Sequence, residues 1–164
     1  MKSPTKRNKV VFLCTGNICR SPMGEALLKK AVADSADENL KKLEIVSAGT
    51  ATVDGMPASA NSVKALARIG VDISDSVSTA LTQKLVDESF AIFAMARPHI
   101  DILKSRFKNI PPRVFTVMEM LKNGRDDVAD PYGGGLDEYL DARDDIASAI
   151  PAILKYLQNE LKKA

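Results

Sequence analysis

The stretch Cys14-Thr15-Gly16-Asn17-Ile18-Cys19-Arg20-Ser21 sets a thiol at one end of a short segment and a guanidinium beside a hydroxyl at the other. It follows an unbroken apolar run over residues 10–13 and precedes a helix signal, so it reads as a strand-to-helix turn. Backbone N–H groups of a loop that curls into a helix N-terminus converge on one point and bind anions there, aided by the helix dipole. Gly16 and Asn17 are residue types that tolerate the positive φ such a curl requires. Arg20 is able to hold two phosphate oxygens as a fork, which a lysine could not. A thiol beside a helix N-terminus and a cation loses its proton readily. The groups that bind a phosphate also suit the equatorial oxygens of a phosphoryl group in transfer. Attack of the Cys14 sulfur on phosphorus is the reaction that fits, with the Ser21 hydroxyl donating to the sulfur and easing its later departure. Taken singly, Cys14 reads as a buried small residue, Arg20 as a surface charge and Ser21 as a helix cap. The signal lies in the whole string at a strand-to-helix switch, where neither the dinucleotide nor the Walker glycine spacing occurs.

The elements that must hold this turn are legible in outline. Residues 10–13 predict a strand buried on both faces, and Ser21-Pro22 predicts a helix N-cap with proline at the first helical position, the helix fading within residues 34–39. Further strands are expected at 43–47, 90–95 and 114–116, and further helices at 57–69, 81–89 and 98–108. The glycine-rich residues 123–135 predict a long loop, and loops of that size usually have a function. A final helix is expected from Leu136, kinked or divided by Pro151. Alternating strands and helices imply an α/β fold, a three-layer α/β/α sandwich with a small four-stranded parallel sheet and helices on both faces. Ligands in such sheets bind beyond the carboxyl ends of the strands. A flexible basic tail over 1–9 and one domain over 10–164 are expected.

Composition narrows the function. With 164 residues, 45% of them hydrophobic and 27% charged, the chain has ordinary globular usage. Lys plus Arg of 23 against Asp plus Glu of 21 leaves a net charge of +2, too small to suggest nucleic acid as a partner. The apolar runs are far shorter than the roughly 20 residues of a membrane helix, and no secretory cleavage pattern follows the basic start. A cytoplasmic protein without membrane contact is expected. Two cysteines and one histidine do not make a four-ligand zinc site, so no metal or other cofactor is called for.

The run from Val11 through Cys14 and Arg20 to Glu25 resembles the phosphate loop of the low-molecular-weight protein tyrosine phosphatases. Ser47-Ala48-Gly49-Thr50 is similar to that family's second-strand motif. Met95 with His99 matches its third-strand and helix pattern, and Asp127-Val128-Ala129-Asp130-Pro131-Tyr132-Gly133-Gly134 its acid loop. The likeness runs from Val10 to Leu157. It implies a cysteinyl-phosphate mechanism in which the loop from Thr15 to Ser21 binds phosphate, Cys14 attacks and Arg20 stabilises the transferring group. The residues themselves leave Asp126, Asp127, Asp130 and Asp137 open as the acid; the family pattern selects Asp130 as general acid and then base. It also makes Ile18 and Tyr132 walls of the substrate slot and Asn17 and Ser47 supports. Relatives often carry a histidine near Ser76 that braces the phosphate loop, and Ser76 departs from that pattern. His99 is expected at a packed helix position.

The substrate implied is a phosphotyrosine protein or peptide, with phosphate as product and inhibitor and a monomeric enzyme. Protein-arginine phosphatase is the alternative. Gly133-Gly134 leans that way, whereas Ile18 stands where arginine-directed relatives carry threonine. Thioredoxin-coupled arsenate reduction would need further cysteines, and none follows Cys19. A non-catalytic phosphate-binding module would be expected to lack Cys14 or Asp130, and both are present. Cys19 is read either as a space-filling residue or as a redox partner able to trap oxidised Cys14 as a disulfide.

Overall fold

The computed structural model describes residues 5–163. Four strands, β1 (Lys9–Cys14), β2 (Glu44–Gly49), β3 (Ser89–Ala94) and β4 (Val114–Thr116), pair in parallel in the order β2-β1-β3-β4. The central strands are continuous apolar runs, VVFLC in β1 and FAIFA in β3, as expected where helices cover both faces. Five α-helices follow the strands: α1 (Arg20–Asp34), α2 (Ala60–Ala67), α3 (Gln83–Asp87), α4 (Arg97–Arg106) and α5 (Leu136–Lys163). One core joins Val10, Phe12 and Phe93 to α1, α2 and α5. The other joins Val11, Leu13 and Ile92 to α3 and α4. This is the α/β/α sandwich that the alternation of patterns predicted. From β1 the chain crosses to β2 on one side and later to β3 on the other, and a crevice opens at such a switch beyond the strand ends.

Two local expectations are corrected. Ser21 is not the N-cap: α1 begins at Arg20 with Cys19 in that position, which puts the Ser21 side chain in the first turn, facing Cys14. Pro151 does not divide the last helix, which runs unbroken over Leu136–Lys163. Proline lacks the N–H that would bond the Ala147 carbonyl, yet Pro151 is exposed and buried Ile146, Ala149, Ile150 and Ile153 anchor the chain on either side of it. Of the expected basic tail, residues 1–4 lie outside the described residues. Arg7 donates to the carbonyls of Val86, Ser89 and Asn109, and Lys9 opens β1, paired with Glu44 at 2.8 Å. Two short 3-10 turns, Leu40–Lys42 and Met118–Leu121, had no distinct sequence signal.

Two glycines bring the layers together. A Cβ on Gly24 would lie 2.7 Å from a Phe12 ring carbon, so glycine lets α1 settle against the sheet. At Gly49 it would lie 2.6 Å from the Thr15 carbonyl oxygen, so the loop after β1 rests directly on the end of β2. Among the described residues no helix is long and apolar enough to cross a membrane.

Candidate active site

The loop from Cys14 to Arg20 is curled by contacts on its outside. Its carbonyls at Cys14, Thr15 and Ile18 accept the N–H groups of Thr50, Ala51 and Ser59, and the Cys19 carbonyl accepts the Ser62 hydroxyl. On a planar trans peptide the next residue's N–H points the opposite way. The amides of Thr15, Gly16, Cys19 and Arg20 therefore turn away from these outer partners. The direction of the concavity is marked by Asn17, whose N–H donates to the Cys14 sulfur at 3.3 Å. Within this loop only Asn17 takes the left-handed conformation, at φ 57°; Gly16 does not, contrary to the expectation for both residues.

A chain of hydrogen bonds fixes the proton beside the sulfur. Asn17 Nδ2 donates to Ser21 Oγ at 2.7 Å and to Ser47 Oγ at 2.9 Å, while its Oδ1 accepts the Thr79 N–H at 2.8 Å. The Ser47 hydroxyl in turn donates to Glu25 Oε1 at 2.7 Å. Ser21 Oγ, which accepts from Asn17, lies 2.9 Å from Cys14 Sγ, where its O–H donates to the sulfur once that is a thiolate. Asn17 and Ser47 meet as expected. Glu25 and Thr79 complete the network and were missed, because nothing in their local pattern distinguishes them from a solvated helix acid and a loop residue.

Arg20 is buried, donates to the Val128 carbonyl at 2.8 Å and stands 3.6 Å from Asp130. Of the four candidate acids, Asp130 alone lines the pocket. Asp126 pairs with the Arg97 guanidinium, Asp127 accepts the Arg97 N–H, and Asp137 sits in the first turn of α5. The Asp130 carboxylate accepts the Tyr132 N–H at 3.1 Å, a local turn that shapes this end of the loop. Its segment is tethered by Val128 N–H to the Met95 carbonyl and by a two-point Arg125–Asp145 ion pair. Cys14, Thr15, Gly16, Ile18, Cys19, Arg20, Asp130 and Tyr132 enclose a pocket of about 190 Å³, with Tyr132 73% exposed at its rim. Cys14, at the bottom, is 2% exposed.

A buried thiol beside hydrogen-bond donors, under a curl of amides and opposite an arginine and a carboxylic acid, is equipped to take a phosphoryl group from an ester. The family model described as low molecular weight phosphotyrosine protein phosphatase matches residues 9–163. The chain belongs to that family. It is therefore a cysteine-dependent phosphatase acting on phosphorylated substrates. Within the family it is 34% identical over 154 residues to a protein-arginine-phosphatase of Bacillus subtilis, spanning 94% of this chain and 97% of the relative. Among solved structures it is similar to the low molecular weight protein tyrosine phosphatase of T. tengcongensis. That match is 32% identical with a TM-score of 0.78, covering 90% of this chain and 98% of that one. A Cys-to-Ser mutant of an arginine phosphatase with a phosphorylated active-site serine matches at 33% identity and a TM-score of 0.82, covering 92% and 95%.

Two side chains of this phosphatase make contacts that the sequence pattern did not indicate. Cys19 is a free thiol whose sulfur lies 3.4 Å from the Tyr139 hydroxyl. Burial, and then that contact, push the Tyr139 phenol up to about 12. His99 is buried on α4 as predicted, but its ring also reaches the phosphate loop, with Nε2 2.9 Å from Thr15 Oγ1. Burial first, then the Arg20 charge, hold His99 down to about 4, against smaller upward pulls from the Ala96 backbone, Asp130 and Asp127. An unfolded histidine takes up its proton near 6.5, so the folded state binds fewer protons between these values. The resulting stability is fully present above pH 6.5 and is lost as the pH falls toward 4, a difference of about 3 kcal/mol. Urea unfolding from pH 7.5 to 4 checks this: the stability difference between wild type and His99→Asn should shift by that order in the variant's favour on acidification. A gap independent of pH would remove the linkage.

Proposed function

We propose that this phosphatase hydrolyses phosphotyrosine in proteins or peptides. The observation that carries the reading is the Cys14 sulfur, held by the Asn17 N–H and the Ser21 hydroxyl beneath the curled loop, with Asp130 across the pocket. The Cys14 sulfur, as thiolate, attacks phosphorus while the inward amides from Thr15 to Ser21 and the Arg20 fork hold the three equatorial oxygens. The P–O bond to the aryl oxygen breaks, and Asp130 gives that oxygen its proton. Water then attacks the cysteinyl phosphate, Asp130 takes the water's proton, and the P–S bond breaks to restore the thiolate with the Ser21 hydroxyl donating to it. Inorganic phosphate leaves and competes for the same cradle. Ser47, through Asn17, keeps Ser21 in place. A monomer in the cytoplasm belongs to the same proposal, since a reaction that needs a reduced thiol suits a reducing compartment.

Ile18 and Tyr132 are proposed as the walls. A branched apolar side chain and an exposed ring favour an aryl group over a charged guanidinium. Phosphoarginine is the second reading. It is favoured by the Bacillus subtilis relative and by Gly133-Gly134, where Gly133 holds φ at +82°. Rates on matched phosphotyrosine and phosphoarginine peptides decide between them. The tyrosine peptide is expected to lead by at least about 10-fold, and Ile18→Thr to narrow that lead, as one pocket contact is worth about 1–3 kcal/mol. A wild-type preference for phosphoarginine would reverse the assignment.

Cys19 is proposed as the redox partner. Peroxide converts the Cys14 thiolate to a sulfenic acid, and the Cys19 thiol condenses with it, releasing water and forming a disulfide that a dithiol reopens. Peroxide inactivation should be largely reversible in the wild type and irreversible in Cys19→Ser. Equal irreversible loss in both proteins rules the role out.

A further inference from the structure

The first turn of α4 carries contacts that the chemistry above does not use. His99 occupies the third position of the helix, where its Nδ1 accepts the Ala96 N–H at 3.1 Å. A backbone N–H is an obligatory donor, so Nδ1 bears no proton, and the buried neutral ring keeps its one hydrogen on Nε2. The contact at 2.9 Å is therefore a donation from His99 Nε2 to Thr15 Oγ1, one residue beyond the nucleophile. The same turn holds the acid segment. The Arg97 N–H donates to Asp127 Oδ1 at 2.8 Å, and the Arg97 guanidinium reaches Glu119 at 3.0 Å and Asp126 at 3.4 Å. Just before the helix, the Met95 carbonyl accepts the Val128 N–H at 2.8 Å. Thr15 and Asp130 lie on separate segments, far apart in sequence, yet both are referenced to one helical turn at the end of β3.

We infer that His99 is a positioning residue for phosphoryl transfer: its bond to Thr15 registers the nucleophile's loop against the turn of α4 that also ties the acid loop, and so sets the Cys14-to-Asp130 geometry. The inference rests on the roles proposed above for Cys14 and Asp130. The relation is directional, because Thr15 contributes only an acceptor to the bond and His99 has no other tautomer open to it while Ala96 is capped. A misplacement of about 1 Å between reacting groups costs on the order of 10²-fold in rate, so a lost tether between the two loops should appear in turnover.

Two isosteres separate positioning from helix capping. In His99→Asn the amide oxygen stands where Nδ1 was and still accepts the Ala96 N–H, but the side chain is too short to reach Thr15. In His99→Gln the amide nitrogen stands near the place of Nε2 and keeps the donation. Steady-state kinetics on phenyl phosphate and p-nitrophenyl phosphate, phosphate inhibition constants and melting curves are measured for both, with Thr15→Val and the His99→Asn, Thr15→Val double variant. His99→Asn is expected to melt near the wild type and to lose about 10-fold or more in kcat on phenyl phosphate, less on p-nitrophenyl phosphate, with KM and phosphate inhibition unchanged. His99→Gln recovers most of the loss, Thr15→Val reproduces it, and the double variant is no worse than either single one. A fully active His99→Asn, losses that add in the double variant, or an effect confined to KM overturns the inference. Should His99→Asn fail to fold, Thr15→Val and His99→Gln still decide it, since a fully active Thr15→Val or a His99→Gln without kcat recovery overturns it as well. Turnover that persists in Cys14→Ser would instead overturn the functional reading itself, whereas full activity in His99→Asn leaves that reading standing.

Discussion

In Cys14→Ser, hydrolysis of an aryl phosphate is expected to fall by at least about 10⁴-fold while inorganic phosphate still binds. The substitution changes one buried atom in a residue 2% exposed, so the fold has little reason to respond. The cradle does not depend on that atom: the loop carbonyls keep their outer partners at Thr50, Ala51, Ser59 and Ser62, and the amides keep their direction. Arg20 keeps its bond to the Val128 carbonyl. What is lost is nucleophilicity, because an alcohol in the same setting holds its proton where a thiol gives it up. The expected residue of reactivity is slow transfer to the substituted serine, which is a poor leaving group from phosphorus. A phosphorylated active-site serine in the similar Cys-to-Ser arginine phosphatase is in keeping with this. Turnover assays, phosphate binding by calorimetry and intact mass after incubation with p-nitrophenyl phosphate check it. Turnover within about tenfold of the wild type would mean that the sulfur is not the nucleophile.

The second large effect is at Asp130. Removing a general acid typically costs about 10²–10⁴-fold when the leaving oxygen is strongly basic. Asp130→Ala should therefore lose on the order of 10²-fold or more in kcat on phenyl phosphate and far less on p-nitrophenyl phosphate, whose anion leaves unaided. The alanine variant also removes the acceptor of the Tyr132 N–H and the Arg20 partner at 3.6 Å, so loop shape must be separated from chemistry. Asp130→Asn does so for the turn, because its amide oxygen still accepts from Tyr132 while the transferable proton and the charge facing Arg20 are gone. Equal leaving-group dependence in the two variants is expected. A loss that is uniform across leaving groups, or an active Asp130→Asn, would take the acid role away from this residue.

The sulfur, the arginine and the serine of the site were legible in the sequence because they are contiguous. Within one curl, residue type and spacing are enough to specify an anion site, and a run such as VVFLC ahead of it is enough to specify a buried strand. The alternation of strands and helices likewise specified a parallel sheet with two covered faces, since each pattern declares which sides it must bury. The acid was less legible. Four aspartates lie in or just after residues 123–135, and residue chemistry did not rank them without the family pattern. In the fold, Arg97 engages two of them, Asp137 lies in the first turn of α5, and Asp130 faces Arg20.

Other features depended on tertiary structure alone. Arg20 finds the Val128 carbonyl across 108 residues of chain, Thr15 finds His99 across 84, and Asn17 finds Ser47 across 30. Each meeting requires the strand order and the register in which Cys14 lies beside Gly49 and Leu13 beside Ala94. Local periodicity fixes which face a side chain takes on its own element, but the neighbour that element acquires is set by how the sheet assembles. The same reason explains the left-handed residue of the phosphate loop at Asn17, the completion of the network by Glu25 and the unbroken helix through Pro151. In each case the deciding partner is distant in sequence or is the solvent on an exposed face. Sequence alone thus determined the thiol, the arginine and the serine of the loop and the architecture that carries them; the packed fold decided their spacing and brought Asp130, of the four aspartates, into the pocket.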